Sequence, residues 1–383
     1  MPDQKNTIPR TTMLLLTEDC NLRCRYCYEN HSKHHEMTVE TGIRIIENEM
    51  KNSDSDDLIL DFFGGEPFLQ FDVMREVCEY VWAHDWPKTY MFNASTNGTL
   101  IHGEIKDWLQ ENRHRFNCGI SFDGNRYMQN VNRCNSFDKI DLDFFAKNWP
   151  EQTVKMTISP ASLPQLADGI VFLHEKNFKV SCNLAYGLDW SDKRLEGILS
   201  EELKKLVGYY CDHPKVEPCS MLNHDMVLVG QTDFSKNLHQ YCGSGIYMSA
   251  YGCDGRKYPC HMFMPIALGQ KDWRSIDFKR EFSAELINEE CRVCPGRNFC
   301  SSCAGFNFMA SGDIHHKNTM TCNLDKLIFA ATAGLAFMKF ERGQLSSVYK
   351  NYDLDITKME APEENVDYYY FCKGIQMWQS LIK

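Results

Sequence analysis

The chain has 383 residues, 18 of them cysteine, is 43% hydrophobic and 24% charged, and carries a formal charge of -11. At roughly 150 residues per domain this length gives about two domains and excludes a peptide-sized disulfide scaffold. The acidic balance argues against a nucleic-acid-wrapping protein, which would need a basic stripe.

The first strand-like run, Met13 to Leu16 within MPDQKNTIPRTTMLLLTEDC, is too short for a signal-peptide core or a membrane span. The expectation is a cytoplasmic protein with neither nucleic acid nor membrane as partner, whose thiols hold metal or clusters rather than disulfides. Strand-like runs fall at 12–16, 58–63, 90–94, 118–122, 154–158 and 180–184, and helix-period segments at 39–50, 73–83, 104–112, 142–148, 163–177 and 201–211. Six βα units in a row imply a parallel sheet, open or curled toward a barrel, with its chemistry in the loops leaving the carboxyl ends of the strands. The pattern breaks over 212–241. Residues 242–322 then hold eight cysteines in 81 positions with little periodicity, as a metal-stapled region would. The tail reads as two helices, one through Phe340 and one over 367–383. The apolar stretch from Leu327 to Met338 reads as buried core.

The first strand leads into Cys20, Cys24 and Cys27, spaced C-x3-C-x2-C. Three thiols can hold a four-iron cubane and leave one iron open to bind and activate something. A structural zinc site completed by His31, His34 or His35 is the alternative. Strand two ends in Phe63-Gly64-Gly65-Glu66-Pro67, strand three in Ser95-Thr96-Asn97-Gly98, and strand four in Ser121-Phe122-Asp123-Gly124, followed by Arg133. Taken singly these are ordinary turns. Paired glycines let backbone approach a ligand closely, and Glu66 offers an acceptor for an ammonium group.

The cysteine spacing, with Tyr26 just before the third thiol, resembles the signature of the radical S-adenosylmethionine (SAM) superfamily, and the later loops resemble that family's motifs in order. The resemblance implies that the Gly64, Gly65, Glu66, Pro67 loop receives the amino group of SAM. It likewise implies that Ser95 and Asn97 belong to the cofactor site, that Arg133 pairs with the SAM carboxylate, and that Ser121 and Asp123 contribute beside it.

In the second region Cys242 is followed by Gly255 and then Cys260, after which come Cys291-x2-Cys294-x5-Cys300-x2-Cys303 and Cys322. This resembles the SPASM domain of radical SAM maturases, departing from its pattern by one residue between Cys300 and Cys303. The resemblance implies one auxiliary cluster on Cys291, Cys294, Cys300 and Cys322 and another on Cys242, Cys260 and Cys303. Cys253 is the nearest candidate for the missing eighth thiolate. A structural zinc ribbon fits the same spacing. Cys78, Cys118, Cys134, Cys182, Cys211, Cys219 and Cys372 read as small core residues.

The expected fold is α/β: a partial (β/α)6 TIM-like barrel over 1–235, a small cysteine-rich SPASM domain over 236–325, and C-terminal helices over 326–383 packing on the body. The implied cofactors are SAM and three 4Fe-4S clusters, one binding SAM and two auxiliary, with a flavodoxin or ferredoxin as reductant. The implied activity is reductive cleavage of SAM to a 5'-deoxyadenosyl radical. That radical takes hydrogen from a peptide or protein side chain in an oxidative modification, a thioether or carbon–carbon crosslink of a ribosomal peptide.

Many peptide maturases carry a leader-binding segment before the barrel, whereas about ten residues precede the first strand here. The compactness is similar to that of anaerobic sulfatase maturases, which make formylglycine and rank second. Those resemble Tyr-Pro-Cys-Asp, the acid serving as base; here His261 follows Cys260, so His261 is the candidate base. From another class, a non-catalytic iron–sulfur electron carrier would need the clusters but not the SAM loops.

Overall fold

The computed structural model describes residues 8–224, 242–278, 288–292, 294, 296, 300, 302–344 and 366–382. Six strands alternate with helices in the first part of the chain. They are β1 (Arg10–Thr17), α1 (Val39–Asn52), β2 (Asp57–Gly64), α2 (Phe71–Trp82), β3 (Thr89–Thr96), α3 (Gly103–Asn112), β4 (Phe116–Ile120), α4 (Arg126–Asn132), α5 (Leu142–Asn148), β5 (Thr153–Ile158), α6 (Leu166–Glu175), β6 (Lys179–Leu184) and α7 (Arg194–Asp212). Strands β1 to β4 pair in parallel, neighbour to neighbour. The parallel β5–β6 pair joins them through a bridge between Ser121 and Lys155. This is the partial barrel expected from the repeating βα units.

Burial alternates along β2 and β6, with one face sealed and the other half open. The sealed face carries Leu58, Leu60 and Phe62 from β2, Phe92 from β3 and Phe116 from β4. These pack under the helices as one core, with Phe62 and Phe92 stacked at 5.4 Å. Such a core contributes most of the fold's stability, since each fully buried large apolar side chain is worth about 1.5–3 kcal/mol. The open face lies inside the curl and mixes polar residues such as Asp61, Asn93 and Ser95 with Ile59 and Phe63. The α1 helix starts where Thr38 Oγ1 accepts from Thr41 N at 3.2 Å, and α5 starts on the Asp141 carboxylate in the same way.

The cysteine-rich region is joined to the sheet. Its strand β7 (Met248–Tyr251) pairs in parallel with β1, and β8 (Lys257–Tyr258) adds antiparallel to β7. The first strand is therefore an interior strand, buried on both faces. Met13 and Leu15 pack against Ala250, Tyr258, Met264 and Ile266. Beyond it lie α8 (Ala304–Ser311), α9 (Cys322–Glu341) and α10 (Val366–Ile382). Helix α9 contains the apolar 327–338 stretch as buried core, and Gly334 leaves the space that Trp378 of α10 fills. Among the described residues no helix is long and apolar enough to cross a membrane. The stretch 225–241 and the Cys372 side chain lie outside the described residues.

Of the cysteines read as core, Cys78, Cys118, Cys182, Cys211 and Cys219 are buried; Cys134 is not. Cys134 sits at φ 54° in the turn after α4. Its Sγ accepts from Arg23 N and its thiol donates to Arg23 O, tying that turn to the first cysteine loop.

Candidate active site

The loop between β1 and α1 carries Cys20, Cys24 and Cys27 to the barrel mouth. Two neighbouring turns hold it. Gly65 N donates to Thr17 O at 3.1 Å and Glu66 N to Asp19 O at 2.9 Å. A Cβ on Gly65 would lie 2.2 Å from Asp19 O and 2.9 Å from Cys20 Cβ, so only glycine allows this approach. The paired glycines thus bring backbone up to the cysteine loop itself, rather than only to a ligand as their pattern suggests. The three thiols lie within electrostatic reach of one another. Burial pushes Cys20 up to about 11 and Cys24 up to about 12, and raises Cys27, so metal binding must displace their protons.

Glu66 is buried and caps the short turn Pro67–Gln70. Its Oε1 accepts from Phe68 N at 3.2 Å and Thr96 Oγ1 at 2.8 Å, and its Oε2 from Asn97 N at 2.8 Å. Burial pushes it up to about 7 against those three donors. The carboxylate is therefore first a brace between the loops after β2 and β3. Asn97 continues the brace, its Nδ2 donating to Asn21 Oδ1 at 2.8 Å and standing 4.0 Å from Cys20 Sγ. Ser95 Oγ accepts from Lys155 Nζ at 2.5 Å, and Ser121 N donates to Thr96 O at 2.9 Å. Pro67 is buried at the first position of the short turn.

Asp123 is fully buried and serves as a hub. Its Oδ1 accepts from Thr157 N at 2.9 Å, and its Oδ2 from Tyr26 OH at 2.6 Å and Asn132 Nδ2 at 3.1 Å. Arg133 Nε lies 3.1 Å from Asp123 Oδ1, with the guanidinium 5.4 Å from the Tyr26 ring centre. Burial works against the Arg133 charge, and Asp123, Tyr26 and Cys24 outweigh it, so the group stays cationic. Asp123 acts through Arg133 and Tyr26, which it fixes beside Cys24.

In the second region the structure brings Cys242, Cys260 and Cys303 within electrostatic reach of one another. Cys291, Cys294, Cys300 and Cys322 form a separate set. Asn288 accepts from Lys317 N and donates to Lys317 O, which seats the Lys317 ammonium against Cys300 Sγ. A cavity of about 300 Å³ opens beside Cys300, Lys317 and Asp325. Cys253 belongs to neither set. Its thiol donates to Leu15 O at 3.2 Å, and its charged neighbours are Glu18, Asp254 and Glu36 rather than other thiols. It stays with β1 because β7 pairs there.

Residues 10–134 match the family described as a 4Fe-4S single cluster domain. The uncharacterized protein MJ0907 of Methanocaldococcus jannaschii is 31% identical over 112 residues, 29% of this chain and 38% of that protein. The radical SAM cyclopropyl synthase TigE of Paramaledivibacter caminithermalis is 27% identical over 118 residues, 27% of this chain and 25% of that protein. This chain thus spans about a quarter to two-fifths of the length of these curated relatives. Native anSMEcpe with bound AdoMet and Cp18Cys peptide superposes with a TM-score of 0.65 at 19% identity, over 88% of this chain and 99% of that one. The chain shares the fold of that structure, and its first third is similar to a 4Fe-4S single cluster domain.

The donor set fits the groups that radical SAM proteins carry. Three thiols share one loop, with Cys20 and Cys24 half-buried and Cys27 exposed, and Arg133 stands charged beside Cys24 with no described partner for its terminal nitrogens. The zinc alternative has one observation in its favour: Cys27, Glu29 and His31 present ligand atoms within 4.8 Å of one another. His31 Nδ1 is held by Glu18 O at 2.7 Å, while His34 and His35 pair instead with Asp19 and Glu18.

His261 reaches the barrel mouth from beside Cys260. It packs 4.9 Å from Phe63 and 5.9 Å from Tyr28, ring centre to ring centre. Burial, helped by the Lys155 charge, pushes it down to about 4, so the imidazole is neutral at pH 7. Its Nδ1 is buried without a hydrogen-bond partner among the described residues. Sequence reading missed the rest of this wall. Tyr28 meets Phe306 edge-on at 5.6 Å, Phe306 stacks on Tyr186 at 4.3 Å, and Lys155 enters from β5. The available signal was polar residues alternating with apolar ones along β2 to β6, which reads equally well as a solvent face.

Proposed function

We propose that this chain is a radical SAM enzyme that takes a hydrogen atom from a peptide or protein side chain and completes an oxidative modification, a thioether or carbon–carbon crosslink. The observation that carries the reading is the meeting, at one barrel mouth, of the Cys20, Cys24 and Cys27 loop, the Glu66 and Asp123 braces, and the wall supplied by the second cysteine region. When bound, the cluster and SAM supply a 5'-deoxyadenosyl radical on one-electron reduction by a flavodoxin or ferredoxin.

The chain's own residues do the rest. Cys20, Cys24 and Cys27 would hold the catalytic cluster, three thiolates for a centre that also takes SAM. Arg133 binds the SAM carboxylate, with its charge and direction set by Asp123, while Ser121 and Ser95 offer hydroxyls at the same level. The Gly64 to Pro67 loop receives the SAM amino group at its backbone and at the lone pairs Glu66 has left. Phe63, Tyr28 and Phe306 keep water from the reacting carbon. His261 accepts a proton at Nδ1 from a substrate group made acidic by loss of the hydrogen atom. Cys291, Cys294, Cys300 and Cys322 would hold one auxiliary cluster. Cys242, Cys260 and Cys303 would hold a second, with Cys253 lying apart from them.

The peptide class is supported by the peptide held in the anSMEcpe structure. Formylglycine formation is the second reading, favoured by the near-complete coverage of anSMEcpe and weakened by His261 standing where an acid would serve. An iron–sulfur carrier without chemistry is disfavoured, because it leaves the Arg133–Asp123–Tyr26 construction without a use. The test is anaerobic reconstitution, metal analysis and reduction with dithionite in the presence of SAM. About 12 iron per chain and release of 5'-deoxyadenosine are expected. Bound zinc without 5'-deoxyadenosine would overturn the reading.

A further inference from the structure

The open face of the sheet carries polar side chains besides the proposed SAM contacts Ser95 and Ser121, and one of them, Lys155, is held by Ser95. Register pairs Asp61 with Asn93 and Asn93 with Asn117 at one level, and Asn117 Nδ2 donates to Asn93 Oδ1 at 3.2 Å. Nearer the mouth, Ser95 pairs with Gly119, and Ser121 bridges to Lys155. Lys155 is exposed although it lies inside the curl, and its Nζ makes one hydrogen bond, to Ser95 Oγ at 2.5 Å.

Most lysines with a described ion pair are held by a carboxylate at 2.6–3.4 Å, as Lys106, Lys176 and Lys179 are. Lys155 has no carboxylate within ion-pair distance among the described residues. Asp61 feels its charge from the level below, but burial there biases Asp61 toward the neutral acid. A cation without a counter-charge, fixed by a hydroxyl and facing the mouth, is a receptor for an anion. Across from it runs the aromatic wall of Phe63, His261, Tyr28, Phe306 and Tyr186, with Tyr186 39% exposed. The ligand that fits both is an extended apolar segment bearing a carboxylate.

We propose that Lys155 is a specificity-determining residue that binds a carboxylate of the substrate peptide, an aspartate or glutamate side chain near the residue that reacts. The proposal rests on the reading of the chain as a peptide-modifying radical SAM enzyme. SAM carries a carboxylate too, so the experiment separates the two sources. The reconstituted full chain is titrated with SAM by equilibrium dialysis. It is then titrated, with SAM present, with three fluorescein-labelled peptides of one Val-Phe-Gly frame that differ only in a central Asp, Asn or Lys.

The wild type is expected to bind the Asp peptide about tenfold more tightly than the Asn peptide. Lys155→Met should erase that difference and Lys155→Glu should shift the preference to the Lys peptide, both with SAM affinity within about twofold of wild type. Equal binding of all three peptides by the wild type overturns the proposal. So does a loss of SAM affinity of about tenfold in Lys155→Met, which would assign the lysine to SAM. Failure of the underlying functional reading is separately visible, as wild-type enzyme that releases no 5'-deoxyadenosine from SAM alone.

Discussion

The cysteine loop after β1 and the stretch from Cys242 to Cys322 carry the same donors in unlike frames. The first is clamped by backbone bonds from Gly65 and Glu66, by a carboxylate bridging two strand ends, and by a buried hub at Asp123. Its thiols lie together because the barrel has already folded. In the second, the single turn Glu289–Arg292 is tied to Lys317 through Asn288, beside a separate apolar cluster that includes Met262, Phe263, Phe308 and Ile314. The difference teaches that the first site is braced by hydrogen bonds from three loops, whereas among the described residues the second is tied mainly through Asn288 and Lys317, so bound metal is expected to matter more for its folding.

The largest expected effect separates the two regions functionally. Cys24→Ala should abolish 5'-deoxyadenosine and remove about four iron per chain. Cys300→Ala should also lose iron but keep 5'-deoxyadenosine formation within a few-fold while the modified product disappears. Equal loss of cleavage in both would erase the distinction.

Removal of iron by an anaerobic chelator comes next. Limited proteolysis should then cut first within 242–322 while β1 to β6 stay protected, and cuts spread evenly along the barrel would contradict the braced first site.

A smaller effect tests the hub. Asp123→Ala leaves Arg133 buried without its counter-charge and should cost about 3–5 kcal/mol in denaturant unfolding. Tyr26→Phe removes a single hydrogen bond and should cost about 1 kcal/mol. The smallest expected effect is at Cys253. Cys253→Ala should leave iron content unchanged, whereas loss of cluster iron would return it to the ligand set.

Much of this was legible in the sequence because its signals are local. Each strand of the barrel carries its own alternating run, and the cysteine, GGEP, TNG and S-x-D-G motifs sit at strand ends that the βα rhythm locates. What was not legible depends on distant pairing. The four residues Met248–Tyr251 carry too little pattern to announce a strand, yet their parallel pairing with β1 places Cys253 against Leu15 and His261 over Phe63. The roles of Gly65 and Glu66 were read as facing a ligand, because their bonds to Thr17, Asp19, Thr96 and Asn97 exist only once three loops meet. Lys155 was hidden because a lysine at an alternating strand position looks the same whether it faces solvent or the inside of the curl.

The account stands most directly on the cleavage of SAM by the reconstituted chain. Reduced enzyme with SAM should yield 5'-deoxyadenosine in the wild type and none in Cys20→Ala, Cys24→Ala or Cys27→Ala. Wild-type protein that holds a full cluster on these thiols, binds SAM and yet releases no 5'-deoxyadenosine would contradict it.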